Sequence, residues 1–127
     1  MLTDLEESGK KKADKYWPDE GSPTMALGNG VTIEHLTTSY QGTYYERKLR
    51  INQSGVNPRE LTQIQTKRWA DLTAPDETNI LRDMVNRVRE VCDNRNNPIL
   101  VHCSAGVGRT GTFIALYKLT QDYMDKK

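Results

Sequence analysis

The sequence has few of the residues that mark several common protein classes. It contains two cysteines and two histidines, and its formal net charge is +1. A disulfide-bonded secreted domain normally carries more cysteine, and a balanced charge gives no general attraction to nucleic acid or anionic lipid. Because the histidines and cysteines are few and irregularly spaced, His35 included, we predict no metal site.

Long apolar runs are also missing. No stretch is long and apolar enough to span a membrane, and the amino terminus lacks the apolar core of a signal peptide. The mean hydropathy of -0.76 describes a polar chain. A chain of 127 residues buries one core, so we predict a single domain over residues 1–127. The scarcity of cysteine favours a reducing, cytoplasmic setting.

Reactive residues are concentrated in one stretch, from His102 to Gly111. A short apolar run at 98–101 precedes it, and apolar residues at helical spacing follow it at 112–117. This pattern predicts a strand at 98–102, a turn, and a helix from about Arg109 to Met124.

A glycine-rich turn that opens a helix suits a phosphate dianion. Its backbone N–H groups point at one place, and the helix dipole adds partial positive charge there. The residues predicted to bind phosphate in this way are Ser104, Ala105, Gly106, Val107 and Gly108, together with Arg109. A nucleotide-binding loop is disfavoured, because the Lys-Ser/Thr pair of that motif is missing.

Three side chains of this loop predict its chemistry. The positive field at the helix start lowers the pKa of Cys103, which we expect to be a thiolate nucleophile. Arg109 can hold two phosphate oxygens with its planar guanidinium. Thr110 places a hydroxyl near the sulfur, where it can steady the departing thiolate. The alternative is a buried, inert cysteine, and the surrounding glycines and His102 argue against it.

The loop His102-Cys103-Ser104-Ala105-Gly106-Val107-Gly108-Arg109-Thr110-Gly111 resembles the signature of the tyrosine-specific protein tyrosine phosphatases. Other matches follow in the family's order, namely Met1-Leu2-Thr3, Glu7, Gly9, Tyr16-Trp17-Pro18, Tyr44 to Leu49, Trp69, Asp71 and Pro75. The resemblance implies hydrolysis of protein phosphotyrosine through a cysteinyl-phosphate intermediate, without a cofactor. The implied partners are phosphotyrosine-containing proteins or peptides.

The fold implied by this resemblance is α/β, with a twisted mixed sheet, antiparallel strands, flanking helices and a strand-loop-helix phosphate-binding turn. Alternating residues predict strands at 31–40, 42–53 and 59–69, with a turn at 52–58. An apolar stripe predicts a helix at 76–94, with Asp76, Glu77 and Thr78 as capping candidates. Residues 1–30 are rich in turn formers and charge, which predicts a surface connection.

The family's catalytic domains are longer than this chain. We therefore expect residues 1–127 to be the C-terminal half of one such domain, from a soluble parent or from the cytoplasmic portion of a receptor-type parent. The family's phosphotyrosine-stacking loop and its glutamine loop have no counterpart here. Two alternatives stay open. One is a non-catalytic fragment that only binds phosphotyrosine, and the other is a dual-specificity or phosphoinositide phosphatase, which shares the loop but not Tyr16-Trp17-Pro18.

A thiolate that attacks a phosphate monoester needs a carboxylic acid to protonate the leaving oxygen. Two tripeptides compete for this role, Trp17-Pro18-Asp19 and Trp69-Ala70-Asp71. The family order favours the second, so we predict Asp71 as general acid and then general base. Ala70 and Thr73 replace a usual proline and glycine, which predicts altered closure of the acid loop.

The resemblance also implies four supporting residues. Glu7 matches an acid that pairs with the signature arginine, and Lys12 matches a lysine that meets the closed acid loop. Trp69 is a candidate hinge of that loop. His102 is predicted to orient the loop and its thiolate by hydrogen bonding, without carrying protons itself.

Overall fold

The computed structural model of the chain describes residues 1–21, 24–69, 78–92 and 98–126. Within these ranges the strands are β1 (Glu6–Glu7), β2 (Lys10–Lys11), β3 (Met25–Gly28), β4 (Val31–Tyr40), β5 (Tyr45–Gln53) and β6 (Val56–Gln65). The helices are α1 (Thr78–Cys92) and α2 (Gly108–Asp125). Helices and an antiparallel sheet are therefore combined, as the predicted fold class requires.

Strands β3 to β6 form one antiparallel sheet in the order of the chain. The predicted strand at 31–40 is β4 with the same bounds. Tight turns connect neighbours: Asn29 and Gly30, between β3 and β4, both have positive φ, 54° and 75°. That pair of angles gives a two-residue hairpin turn whose twist matches the twist of its strands.

Strand β6 begins earlier than the sequence pattern predicted. The expected turn at 52–58 and strand start at Arg59 are wrong, because the turn needs only Ser54 and Gly55 and the ladder resumes with Val56 opposite Gln53. Gly55 has φ 79°, a conformation that glycine adopts without strain. The first residues of β6 are exposed and mostly polar, so the sequence pattern did not mark them as part of the strand.

The amino-terminal region is more ordered than a surface connection. It contains β1, β2 and β3, and Met1, Leu2 and Trp17 are all buried. The many charged residues and turn formers of this region outweighed its few large apolar side chains in the sequence pattern. Those apolar side chains nevertheless determine the path of this region, because burying them against a face of the sheet is favourable.

The sheet carries a hydrophobic cluster on each face. Arg47 on β5 pairs with Gln63 on β6, so these two side chains lie on the same face of the sheet. Leu49 is two residues from Arg47 and shares that face, whereas Ile64 is one residue from Gln63 and lies on the opposite face. The first cluster consists of Met1, Trp17, Ile33 and Leu49. The second consists of Leu2, Tyr44, Ile64, Trp69, Ile80, Met84, Val85, Cys103 and Phe113. The second cluster therefore holds both helices and the predicted nucleophile.

Helix α1 lies within the predicted helix at 76–94, and Ile80, Met84 and Val85 of the predicted stripe are buried. The capping candidates Asp76 and Glu77 lie outside the described residues. Arg87 fixes α1 to the sheet, because its Nε and Nη2 donate to the two carboxylate oxygens of Glu46 on β5 at 2.6 and 2.9 Å. This bidentate pair ties one point of α1 to β5.

The predicted strand at 98–102 is wrong for the described structure, because these residues belong to no strand. Among the described residues, their one backbone bond outside regular elements runs from the Leu2 N–H to the His102 carbonyl, at 2.9 Å. A strand requires a ladder of such bonds with a neighbour. Ile99 and Leu100 are accordingly exposed, Leu100 by 85%.

Candidate active site

The loop between His102 and α2 forms an open rim around three buried side chains. Residues 104–108 are exposed, whereas Cys103, Arg109 and Thr110 are buried. Gly106 turns the chain with φ 80°, which favours glycine. Helix α2 then begins at Gly108 without a hydrogen bond from a capping side chain of the described residues. Its first N–H groups are thus available to an anion.

The Cys103 sulfur receives two hydrogen bonds from its own loop and helix. The Gly106 N–H donates to Sγ at 3.2 Å, and the Thr110 hydroxyl donates at 3.1 Å. Burial raises the pKa of the Cys103 thiol, but the hydrogen bonds from Thr110 and Gly106 and the charge of Arg109 outweigh burial, so the pKa falls below its ordinary value. The sulfur is therefore held as a thiolate more readily than an ordinary cysteine.

Arg109 is fixed by two partners from distant parts of the chain. Its Nη1 donates to Oε2 of Glu7 at 2.9 Å and to the carbonyl of Trp69 at 2.6 Å. Only 2% of its side chain is exposed. A guanidinium held by both a carboxylate and a carbonyl keeps one orientation. A fixed orientation is needed to bind an oxyanion in a defined geometry.

Two local structures bring those partners to Arg109. Glu7 ends β1, and the β1–β2 turn at Ser8 and Gly9 has positive φ at both residues. Trp69 is 2% exposed and packs in the hydrophobic cluster that contains Cys103. The predicted pairing of Glu7 with the signature arginine is thus present, and Trp69 supports that arginine through its backbone.

His102 is held by a tyrosine of the amino-terminal region. The Tyr16 hydroxyl and His102 Nε2 lie 3.1 Å apart, and Gln63 donates from Nε2 to the same hydroxyl at 2.7 Å. Burial and then the nearby amino-terminal charge lower the pKa of His102, while a hydrogen bond with the Cys103 backbone opposes them. The lowered pKa leaves the imidazole neutral near pH 7.

In the described residues, the side chain of Asp19 forms no hydrogen bond or ion pair with the loop at 102–110. Asp19 is exposed and forms an ion pair with Lys15, and this lysine lowers the pKa of the Asp19 carboxyl. Asp71, Ala70 and Thr73 lie outside the described residues. Lys12 is half-buried, and its backbone N–H donates to the Leu5 carbonyl at 2.8 Å. The predicted roles of Asp71 and Lys12 therefore stay predictions.

Sequence reasoning gave no role to Tyr16, Gln63 or Arg47. Tyr16 stands in the Tyr16-Trp17-Pro18 stretch that carried part of the resemblance. The sequence therefore drew attention to this residue but did not predict its contact with His102. Gln63 and Arg47 belong to strands with alternating polarity, in which polar residues are usually taken as exposed. Both are 6% exposed. Their register opposite each other on β5 and β6 is what brings them together.

Among the described residues, no group of three histidine, cysteine, aspartate or glutamate side chains is arranged to hold a metal ion. His35 is engaged through both ring nitrogens, with the Pro18 carbonyl at 2.7 Å and with the Thr38 hydroxyl. Both cysteines are free thiols. In the described part of the chain, no helix is long and apolar enough to cross a membrane.

The Cys103 sulfur, the fixed Arg109 guanidinium and the uncapped start of α2 belong to one loop. These groups define an oxyanion-binding site that can accept a covalent bond from an electrophile at Cys103. This arrangement fits the chemistry of the cysteine-dependent phosphatases.

Comparison with known proteins makes this class specific. The family model described as protein-tyrosine phosphatase matches residues 1–127. The chain belongs to the protein-tyrosine phosphatase family. It is 37% identical to tyrosine-protein phosphatase 69D of Drosophila melanogaster over 127 residues, which is 95% of this chain and 9% of that protein.

Two further proteins extend the comparison. Human receptor-type tyrosine-protein phosphatase F is 38% identical over 91% of this chain and 6% of its own length. The crystal structure of the Trypanosoma cruzi protein tyrosine phosphatase TcPTP1 superposes with a TM-score of 0.81 at 35% identity, and it covers 91% of this chain and 42% of that chain. The predicted partial protein tyrosine phosphatase fold is confirmed. This chain spans less than half the length of these relatives.

Proposed function

We propose that this chain carries the nucleophile and the phosphate-binding loop of a phosphatase that hydrolyses phosphotyrosine in proteins. One observation carries the proposal: the Cys103 sulfur accepts hydrogen bonds from Gly106 and Thr110 in the same loop that presents the buried Arg109. Family membership supports the substrate class. The lowered pKa of Cys103 supports its role as nucleophile.

The proposed reaction has two displacements at phosphorus. In the first, the Cys103 thiolate bonds to phosphorus while the bond to the tyrosine oxygen breaks, and the phenolate takes a proton. In the second, the oxygen of a water molecule bonds to phosphorus, the sulfur–phosphorus bond breaks and inorganic phosphate leaves. The loop N–H groups and Arg109 stabilise the negative oxygens in both steps.

Three side chains complete the proposal. Asp71 is proposed to protonate the leaving phenolate and then to remove a proton from the attacking water, a role that comes from its place in the sequence. Thr110 stabilises the thiolate as the second step releases it, and its hydroxyl is already bonded to Sγ. His102 orients the start of the loop. Since this chemistry needs a reduced thiol, we assign the chain to a reducing, cytoplasmic compartment.

The test is release of inorganic phosphate from a phosphotyrosine peptide by this chain. Cys103→Ser should abolish release, because a serine hydroxyl is a far weaker nucleophile without an adjacent base. Cys92→Ser is the matched control, since Cys92 is a free thiol on α1 outside the loop, and it should keep wild-type activity.

Two outcomes would contradict the proposal. One is equal release by wild type and Cys103→Ser, with binding of the phosphopeptide retained, which would leave a phosphotyrosine-binding module without turnover. The other is faster release from a phosphoserine peptide or a phosphoinositide than from phosphotyrosine, which would assign the site to a different substrate class.

A further inference from the structure

A series of hydrogen-bonded polar side chains, two buried (Arg47 and Gln63) and two half-buried (Tyr16 and His102), runs from the sheet to the nucleophile loop. Arg47 Nη1 on β5 donates to Gln63 Oε1 on β6 at 2.8 Å, and Gln63 Nε2 donates to the Tyr16 hydroxyl at 2.7 Å. The Tyr16 hydroxyl lies 3.1 Å from Nε2 of His102, the residue before the nucleophile. Four side chains thus connect the sheet to the loop without a break.

The direction of donation along this series is fixed at its start. A guanidinium has five N–H donors and no acceptor, so the Gln63 atom facing Arg47 must be the carbonyl oxygen. The other end of the Gln63 amide must then be its NH₂ group, which occupies one lone pair of the Tyr16 oxygen. Arg47 and Gln63 are each 6% exposed, so water does not readily replace these partners.

The direction of donation at Tyr16 determines which nitrogen of His102 is protonated. With its oxygen accepting from Gln63, the Tyr16 hydroxyl hydrogen is directed to His102 Nε2. The sulfur of Met1 is the competing acceptor, but it lies 3.9 Å away and a thioether accepts weakly. Nε2 must then carry a lone pair, and a neutral imidazole with an unprotonated Nε2 has its proton on Nδ1.

We propose that Arg47 and Gln63 are positioning residues that hold His102 in the tautomer with its proton on Nδ1, and so orient the loop that carries Cys103. The tautomer matters because the His102 ring also hydrogen-bonds the Cys103 backbone, in a bond that favours the charged ring. Such a bond is one in which the ring donates. With Nε2 occupied by Tyr16, Nδ1–H is the donor that remains.

The tautomer is read directly from long-range ¹⁵N–¹H correlation spectra of the labelled protein at neutral pH. The protein has two histidines. His35 takes no part in the hydrogen bonds between Arg47, Gln63, Tyr16 and His102, so it serves as an internal reference. Wild type should show His102 protonated at Nδ1 and bare at Nε2. The reverse pattern in wild type would overturn the proposal.

The decisive variant is Gln63→Glu, which keeps the shape of the side chain and the contact to Arg47 but removes the donor. Tyr16 then donates to the new carboxylate and accepts from His102, so the ring proton should move to Nε2. The Nδ1–H bond to the Cys103 backbone is lost, and alkylation of Cys103 by iodoacetamide should slow about fivefold, the equivalent of one ordinary hydrogen bond. An unchanged tautomer in this variant would refute the proposal.

Gln65→Glu is the matched control. Gln65 Oε1 accepts from the same Arg47 Nη1 at 2.6 Å, but its amide donates to the Thr3 carbonyl and not to Tyr16. It brings the same charge to the same arginine, and the His102 tautomer should stay at Nδ1. A shift in this control as large as in Gln63→Glu would assign the effect to charge alone and overturn the directional account.

Tyr16→Phe is a second variant for the case in which the buried carboxylate of Gln63→Glu prevents folding. It removes the hydroxyl that occupies Nε2, so the fraction of His102 rings with the proton on Nδ1 should fall below that of wild type, and an unchanged fraction in Tyr16→Phe would count against the proposal. The orienting role rests on the proposed function, but the tautomer is measured in the resting protein. A chain without phosphatase activity would therefore still confirm or refute the assignment.

Discussion

The two sets of contacts around the loop differ in how far along the chain they reach. The Cys103 sulfur is bonded by Gly106 and Thr110, three and seven residues away. Arg109 is bonded by Glu7 and Trp69, at separations of 102 and 40 residues. The hydrogen bonds to the thiol are thus encoded locally, whereas the orientation of the Arg109 guanidinium depends on the folding of nearly the whole chain.

Asp71 offers the largest expected effect, because it is the proposed general acid and would act on a reacting atom. Asp71→Asn should reduce kcat for a phosphotyrosine peptide by roughly 100-fold to 1,000-fold, since the leaving group loses its proton donor. The high-pH limb of the kcat profile should disappear, because that limb reports loss of the acid's proton.

Asp19→Asn is the matched control for Asp71. Asp19 is exposed and its pKa is lowered by Lys15, which suits a surface ion pair and not an acid that must hold a proton. Its replacement should leave kcat unchanged. A larger loss for Asp19→Asn than for Asp71→Asn would exchange the two assignments.

Glu7→Gln removes the negative charge from the long-range contact to Arg109. Glu7 and Arg109 are 12% and 2% exposed, so the change leaves a buried cation without its countercharge. The free energy of unfolding should fall by about 3 kcal/mol, as expected when one partner of a buried ion pair is removed. Urea titration followed by circular dichroism measures this loss.

Glu6→Gln provides the comparison, because Glu6 is the exposed neighbour on β1. Its stability should change by less than about 0.5 kcal/mol. If both glutamines destabilise equally, the contribution of Glu7 comes from general charge balance and not from its pair with Arg109.

Thr110→Val removes the local hydroxyl donor and should have the smallest effect. The thiolate loses a hydrogen bond, so its charged form is less stable and the pKa of Cys103 rises towards its ordinary value. The pH dependence of alkylation should move upward, and the rate below neutral pH should fall about tenfold. Thr110→Ser restores the hydroxyl and should restore the wild-type rate.

An unchanged alkylation profile in Thr110→Val would show that the loop N–H groups and Arg109 suffice to activate the sulfur. In that case the contrast between local and distant contacts would weaken, because Arg109, itself fixed from a distance, would carry the activation.

The local half of the candidate site could be located from the sequence, because its residues are adjacent. Cys103, Gly106, Arg109 and Thr110 stand in one motif, and the helix start places their groups together by backbone geometry alone. The Glu7–Arg109 pair was reached only through resemblance to a family, since no spacing rule connects residues so far apart. Gln63 and Arg47 escaped notice because strand alternation does not say which polar face becomes buried.

The fold shows the same division. Strand β4 was predicted with its full extent, because its alternation is local. The strand at 98–102 was predicted from apolar composition, yet composition does not provide the neighbour that a ladder needs. Residues 1–30 were taken for a surface connection, although Met1 and Trp17 cover one face of the sheet.

The bond between Glu7 and Arg109 also has a consequence for the order of folding. Closing a loop of 102 residues costs about 4 kcal/mol of chain entropy, so this contact forms only after the sheet has drawn the two ends together. A partly folded molecule would hold its thiol beside an arginine that is not yet oriented. We therefore predict that protection of the Cys103 thiol by an added oxyanion appears only in the last steps of folding.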